Sequence, residues 1–328
     1  NGGVMVTEFV GIGAAAELFG VSRYIVVPVV AALVWWLIVK GNYRRIEWAF
    51  LIMTLVFFAY PISAVLAQPD WAEALQSAVV PSVRADPDYI LLFVATVGTT
   101  ITPYMQMFQQ DAVVEKGMTA EQIPYVRADV IVGCIFSNAV AVFIIIATAA
   151  TLYAASVQSG GNGVEIGTAE EAARALEPVA GRFSSQLFAA GIFGASMLAA
   201  GVLPLATALS ICAAFGWERG VSQQLEDAPV FYGLLTLLFV AGALVALIPG
   251  VPVIRLLIVV QVINGLLLPV LLVFITRMAS DRELMGTYAN GRLFNVFAWS
   301  VTVIIASLAI VMVLATIVLP ALGIRSGG

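Results

Sequence analysis

Residues 95–116 read ATVGTTITPYMQMFQQDAVVEK, a glycine-, threonine- and proline-containing break inside a long apolar stretch. Pro103 has no backbone N–H, and its ring clashes with the preceding helical turn. Non-helical backbone at the depth of a bilayer is tolerated only where protein or a water-filled cavity satisfies it. The polar residues that follow favour a binding site or hydrophilic pathway over the simpler alternative, a proline kink with threonines bonded back to the preceding turn.

The composition of this 328-residue chain is typical of a membrane protein, since 61% of its residues are hydrophobic and 11% are charged. Soluble domains carry about 45–50% apolar and about 25% charged residues, so a soluble enzyme, a disordered chain and a nucleic-acid binder are excluded. A spanning helix needs roughly 17–25 mostly apolar residues. Nine stretches predict an all-α polytopic membrane protein: about 4–20, 24–40, 45–67, 88–116, 127–154, 185–213, 230–249, 253–276 and 294–319.

The basic residues predict how these spans are oriented. If residue 1 is cytoplasmic, inner loops hold 9 of the 15 basic residues: Lys40, Arg44, Arg45, Lys116, Arg127, Arg219, Arg277, Arg282 and Arg292. The longest outer loop, about 155–184, is acidic instead. By the positive-inside rule, the residue 1 side is cytoplasmic and the C-terminus lies outside.

The residues of this chain argue against an enzyme. It contains no histidine, so a Ser-His pair and a His-bearing zinc motif are impossible. An aspartyl dyad would need two acids at mid-depth on facing helices, and the spans offer no such pair. We therefore expect no enzyme activity and no cofactor. A non-transporting receptor or scaffold is a remote alternative, because a broken helix is costly without a cavity to serve.

Polar side chains within the spans are candidates for a pathway. Gln106, Gln109 and Gln110 share one helix face by their spacing, and Asp111 follows them toward the inner exit. Glu8 in the first span is expected to line the inner vestibule or to pair with a basic loop residue. On another span, Gln261 and Asn264 are three residues apart and share a face, where polar groups either join helices or meet an ion.

Five groups of residues stand out in order along the chain. They are VTEF at 6–9 with LFG at 18–20, GTTITP at 98–103, LFAAG at 187–191 through MLAAG at 197–201, QV at 261–262 with LP at 268–269, and LMG at 284–286 with NVFAW at 295–299. Together they resemble the third, sixth, eighth, tenth and eleventh helices of the NRAMP family of divalent-metal transporters.

The resemblance implies a fold and an extent. The fold is the LeuT-like inverted repeat, with about nine of eleven expected spans in this sequence, forming a single transmembrane transporter domain over residues 1–328. The chain is expected to be N-terminally incomplete. The family's first helix, which carries an Asp-Pro-Gly-Asn motif with half of the metal ligands, has no counterpart here.

The resemblance also implies a metal site at three residues. Thr99 occupies the place whose backbone carbonyl contacts metal, Thr102 replaces the family's methionine ligand, and Gln261 matches a glutamine of the tenth helix. Thioether sulfur suits softer transition metals, whereas oxygen suits magnesium, calcium and manganese. A threonine-lined, glutamine-rich cavity suits Mg²⁺, which dehydrates reluctantly and keeps several waters.

The family's proton route is altered at three places. Tyr104 stands where the family has histidine, Met5 lies near an acidic position, and Phe231–Tyr232 lies near an arginine pair. The sequence thus resembles the NRAMP-related magnesium transporter branch. We expect uptake of Mg²⁺, and also of Mn²⁺, uncoupled from protons and driven by the membrane potential, through alternating access around residues 98–104.

The main alternative is a proton-coupled Mn²⁺/Fe²⁺ transporter of the ordinary NRAMP type. In either case the expected partners are the transported ion and the lipid bilayer, with no nucleic acid and no obligate protein partner. The expected location is a bacterial inner membrane.

Overall fold

The computed structural model describes residues 1–41, 43–80, 87–150, 177–221, 223–250 and 253–314. Every regular element in those ranges is a helix. Most of the acidic loop expected at about 155–184 lies outside the described residues, as does the end of the last predicted span.

The α-helices are labelled here in chain order. They are α1 (Gly2–Leu18), α2 (Arg23–Lys40), α3 (Tyr43–Thr54), α4 (Ala59–Leu66), α5 (Trp71–Val79), α6 (Pro87–Thr100), α7 (Pro103–Glu115), α8 (Ile123–Thr148), α9 (Glu177–Phe215), α10 (Pro229–Ala246), α11 (Val253–Ser280), α12 (Arg282–Met285) and α13 (Arg292–Val313). Short 3-10 turns cover Leu55–Phe58, Ala120–Gln122 and Gly286–Tyr288.

Eight helical segments among the described residues are long and apolar enough to cross a membrane. They correspond to α2, α3 with α4, α6 with α7, α8, α9, α10, α11 and α13. The remaining predicted span is α1, a helix of 17 residues. The prediction of an all-α polytopic membrane protein is confirmed, and the chain is an integral membrane protein.

Local sequence explains several helix ends. Glycines at positive φ follow α1, α7 and α9: Gly20 at 77°, Gly117 at 64° and Gly216 at 69°. Such left-handed residues end helices at little cost only when they lack a Cβ. Thr119 and Gln122 form a capping box in the turn that leads into α8. These signals set the short connections between neighbouring spans.

The chain divides into two compact units, each built from two separate segments. Unit 1 comprises Asn1–Pro81 and Met107–Leu256, and unit 2 comprises Ser82–Gln106 and Leu257–Gly328. The single domain expected over 1–328 stays a prediction.

Unit 1 is organised around α1, which packs against α2, α9 and α10. Phe9 of α1 is fully buried and meets Phe239 of α10 edge to face, with ring centroids 6.2 Å apart. Gly11 of α1 lies so close to α9 that a Cβ there would be 2.5 Å from the Ser196 Oγ. Small residues therefore let the helices of this unit approach closely, as is typical of membrane helix packing.

Candidate functional site

The predicted helix break is present. Helix α6 ends at Thr100 and α7 begins at Pro103, with Ile101 and Thr102 between them. The Ile101 N–H donates to the Val97 carbonyl at 2.9 Å, and the Met105 N–H donates to the Thr102 carbonyl at 3.2 Å. Because Pro103 has no N–H, the Thr99 carbonyl lacks its usual helical donor. The break therefore leaves the Thr99 carbonyl oxygen without its helical hydrogen bond, within the segment where the sequence predicts the interruption.

The threonines around the break have two kinds of environment. The hydroxyls of Thr96 and Thr100 donate hydrogen bonds to carbonyls one turn back, at 2.8 and 2.7 Å, as the proline-kink alternative predicts. Thr102 instead lies in the break itself with 8% of its surface exposed, whereas Thr99 is exposed. The hydroxyl of Thr102 is therefore held within protein at the point where the helix is interrupted.

Helix α6 touches α11 backbone to backbone inside unit 2. A Cβ at Gly98 would lie 2.2 Å from the Gln261 carbonyl oxygen and 2.5 Å from the Gly265 nitrogen. A Cβ at Gly265 would in turn lie 2.7 Å from the Val94 carbonyl oxygen. Two glycines thereby bring the end of α6 directly beside the turn of α11 that carries Gln261.

Gln261 and Asn264 form a buried polar pair on α11. They are 8% and 7% exposed, and Asn264 Nδ2 donates to Gln261 Oε1 at 2.9 Å. An amide oxygen has two lone pairs, so Oε1 can accept this hydrogen bond and still face a cation. The structure confirms that the two side chains share one face, and the hydrogen bond fixes the orientation of the glutamine amide.

The polar residues of α7 are spread over different environments. Gln106, Gln109 and Gln110 are exposed, and Tyr104 is partly exposed. The Asp111 side chain is only 12% exposed, and its Oδ1 lies 3.8 Å from Arg219 Nη2. Asp111 is therefore one half of an ion pair with the loop that follows α9.

The two carboxylates of α1 have different partners. Glu8 hydrogen bonds with Ser196 of α9 and lies near Tyr60 of α4. Glu17 pairs with Arg23 at the start of α2. Glu8 is partly exposed. Its hydrogen-bond partner is a serine and not a basic loop residue, which was one of the two predictions for Glu8.

Several residues of these sites give no sequence signal that could have assigned them. Ser196 lies in an apolar helix, and only the fold brings it to Glu8. Gly265 is one of 28 glycines, and only its contact with α6 distinguishes it. Arg219 was expected on an inner loop by its charge alone, without a partner. The spacing of Glu115, one turn after Asp111, could have indicated the acidic side of that ion pair.

The three candidate metal-ligand oxygens that this chain provides are neutral. They are the Thr99 carbonyl, the Thr102 hydroxyl and the Gln261 amide, all in unit 2. Among the described residues, no three His, Cys, Asp or Glu side chains cluster in a way that could hold a metal ion. Neutral oxygen ligands are those that hard cations such as Mg²⁺ accept, together with retained waters.

Comparison with curated proteins finds bacterial relatives named divalent metal cation transporter MntH. The protein of Ralstonia nicotianae is 28% identical over 291 residues, which cover 81% of this chain and 60% of the relative. That of Clostridium acetobutylicum is 22% identical over 270 residues, covering 80% of this chain and 58% of the relative. That of Caldanaerobacter subterraneus subsp. tengcongensis is 25% identical over 267 residues. The chain thus spans 58–60% of the length of these relatives.

Comparison with family models gives a match along nearly the whole chain. The matching model is described as natural resistance-associated macrophage protein-like, and it covers residues 1–315. This agrees with the five groups of residues that suggested the resemblance and with the described set of apolar helices. The chain therefore belongs to the Nramp family, whose members have the LeuT-like transporter fold.

Proposed function

We propose that the protein carries divalent metal ions into the cell, with Mg²⁺ as the main substrate and Mn²⁺ as a second one. The ion binds at the break between α6 and α7 and crosses by alternating access, as in transporters whose sites lie at unwound helices. Family membership and relatives named divalent metal cation transporters support the general activity. The choice of Mg²⁺ rests on one observation: Thr102 is buried in the break, at the position where the family has methionine.

The ligand chemistry supports a hard cation. A methionine sulfur would select softer metals, and a threonine hydroxyl removes that selection. The Gln261 amide is held in place by Asn264, so its oxygen is oriented before an ion arrives.

The environment of the altered proton-route positions supports transport without protons. Phe231 and Tyr232, near the family's arginine pair, are packed in the core of unit 1 with ring centroids 5.0 Å apart. The Tyr232 hydroxyl donates to the Gln223 carbonyl at 2.9 Å. Met5, near the family's acidic position, is fully buried as well. Buried, uncharged side chains therefore occupy two of the three altered places, and the proposal is that the membrane potential alone drives uptake.

The orientation we propose places residue 1 in the cytoplasm of a bacterial cell, with the protein in the inner membrane. Lys116 after α7 pairs with Glu47 of α3 at 2.8 Å, and Asp111 of α7 pairs with Arg219 after α9. These pairs bring together, inside unit 1, three segments that the positive-inside rule assigns to the same side.

The test is ion uptake into proteoliposomes at a set membrane potential, with Mg²⁺ and Mn²⁺ compared and a lumenal pH dye read in parallel. We expect Mg²⁺ entry without acidification. Thr102→Met should lower Mg²⁺ uptake relative to Mn²⁺ uptake, because sulfur replaces a hard ligand, while Thr96→Ala, which removes a hydroxyl that bonds within α6, serves as the matched control. Exclusion of Mg²⁺ by the unmodified protein would refute the proposal.

Proton-coupled Mn²⁺/Fe²⁺ transport is the second candidate, and one observation favours it. Glu8 is a titratable carboxylic acid inside a membrane helix, hydrogen bonded to Ser196, and intramembrane acids often serve proton movement. Mn²⁺ entry that acidifies the lumen, and that is lost in Glu8→Gln, would establish this candidate in place of the first.

A further inference from the structure

Helix α5 (Trp71–Val79) is amphipathic and stands apart from the apolar spans. At 100° per residue, Trp71, Ala72, Ala74, Leu75, Ala78 and Val79 fall within an arc of about 160°, and Asp70, Glu73, Gln76 and Ser77 fall within the opposite arc of about 120°. A continuous apolar stripe of this width is typical of a helix face that is removed from water.

The apolar stripe of α5 is nevertheless exposed. Trp71, Leu75 and Val79 are 39%, 62% and 80% exposed, and within α5 only Ala74 is partly covered. The helix itself is well formed, since Asp70 Oδ1 accepts the backbone N–H groups of Ala72 and Glu73 at 2.9 and 3.1 Å. The exposed apolar stripe therefore belongs to a regular helix with a capped N-terminus.

The position of α5 in the chain holds it at the membrane boundary. The preceding span ends at Leu66 and the following one begins at Tyr89. Only four residues separate Leu66 from Trp71, so five Cα–Cα steps join them and span at most about 18 Å. The start of α5 therefore cannot move far from the level at which α4 leaves the hydrocarbon.

We propose that α5 lies in the lipid–water interface, with its apolar stripe in the acyl boundary and its polar arc toward water. Tryptophan is favoured at this depth, where its ring is both apolar and able to hydrogen bond. The segment from Asp70 to Val80 carries two acidic residues and no basic one. Its contact with the bilayer therefore rests on apolar area, unlike basic interfacial helices that need anionic headgroups.

Two positions of α5 provide the test, in the protein reconstituted into phosphatidylcholine vesicles. Cys134 and Cys212 are first replaced by alanine, and a spin label is attached to Leu75→Cys or, as the matched control on the opposite arc, to Gln76→Cys. Collision of each label with oxygen, which concentrates in lipid, and with a water-soluble nickel complex is then measured by power saturation.

We expect the oxygen-to-nickel collision ratio to be at least about threefold higher at position 75 than at position 76, because the stripe enters the acyl boundary. Adding phosphatidylglycerol should leave that ratio unchanged. Equal access of nickel to both labels would show that α5 stands in water. Low access of both reagents at position 75 would show that the stripe packs on protein. Either result overturns the proposal, and neither depends on which ion is transported.

Discussion

Replacement of Gly98 by alanine is the sharpest test of the architecture around the helix break. Gly98 faces backbone atoms of α11, so a new methyl group meets the Gln261 carbonyl oxygen at 2.2 Å and the Gly265 nitrogen at 2.5 Å. Neither atom belongs to a side chain that could rotate away. The substitution therefore has to move α6 away from α11 or distort one of the two helices.

The size of the effect follows from these distances. Ordinary van der Waals contact begins near 3.4 Å, so the shortfall at Gly98 is about 1.2 Å in a close-packed interior that transmits strain. Overpacking of this kind costs about 1–3 kcal/mol. At about 1.4 kcal/mol per tenfold, the population of the packed arrangement falls by roughly 5- to 150-fold.

The assay is the initial rate of Mg²⁺ uptake into proteoliposomes at a fixed membrane potential, normalised to the amount of folded protein. Gly133→Ala in α8 is the matched control, because a Cβ there meets nothing within 4 Å. Both substitutions gain the same helix propensity, about 0.8–1.0 kcal/mol over glycine. Uptake and thermal stability in detergent should fall for Gly98→Ala, whereas Gly133→Ala should keep the original uptake with equal or slightly higher thermal stability.

Uptake by Gly98→Ala at the rate of the control would refute this reasoning. It would mean that backbone contact between α6 and α11 is not needed to form the ion site. A stable Gly98→Ala protein with slow uptake would instead support a requirement for the close approach in transport itself, beyond folding.

Three further substitutions test the remaining features of the site. Gln261→Leu removes a proposed ligand oxygen and leaves the buried Asn264 amide without its partner, at a cost of about 1–3 kcal/mol; Mg²⁺ uptake should fall at least about tenfold, and unchanged uptake would remove Gln261 from the proposed site. Glu8→Gln keeps a side chain that can hydrogen bond, so voltage-driven Mg²⁺ uptake should be largely retained. If the unmodified protein acidifies the lumen, and Glu8→Gln loses both the uptake and the acidification, proton coupling is favoured. Asp111→Asn breaks a partly exposed pair with Arg219 at 3.8 Å, worth about 0–1 kcal/mol, so the melting temperature in detergent should change little; a large drop would show that this pair holds α7 in place.

The fold could be predicted from the sequence because its main determinants are local. Apolar runs of spanning length give the helices, and the expected span at 24–40 agrees with α2 to within one residue. The break at Pro103 is equally local, since a missing N–H is a property of one residue. Glycines placed just after α1, α7 and α9 end those helices for the same kind of reason.

The partners of the candidate site could not be predicted in this way, because they depend on contacts between distant segments. The spacing of Gln261 and Asn264 predicts a shared face, yet nothing local indicates that Gly98 would press against that turn of α11. Charge assigned Arg219 to a loop, and only the fold brings it to Asp111. A periodic pattern specifies which face of a helix is polar, but it does not specify which helix meets that face.

This distinction bears on how selectivity arises at the break. In the proposed function, Thr102 provides a hard ligand where the family resemblance implies a soft one, a change visible in the sequence. Whether that oxygen acts with others depends on distances that two glycines set, because they hold the end of α6 against the backbone of Gln261. The Asn264 hydrogen bond then fixes the glutamine amide. We therefore propose that ion preference at this site is a joint property of one ligand substitution and a backbone contact, so that changing either one should alter it.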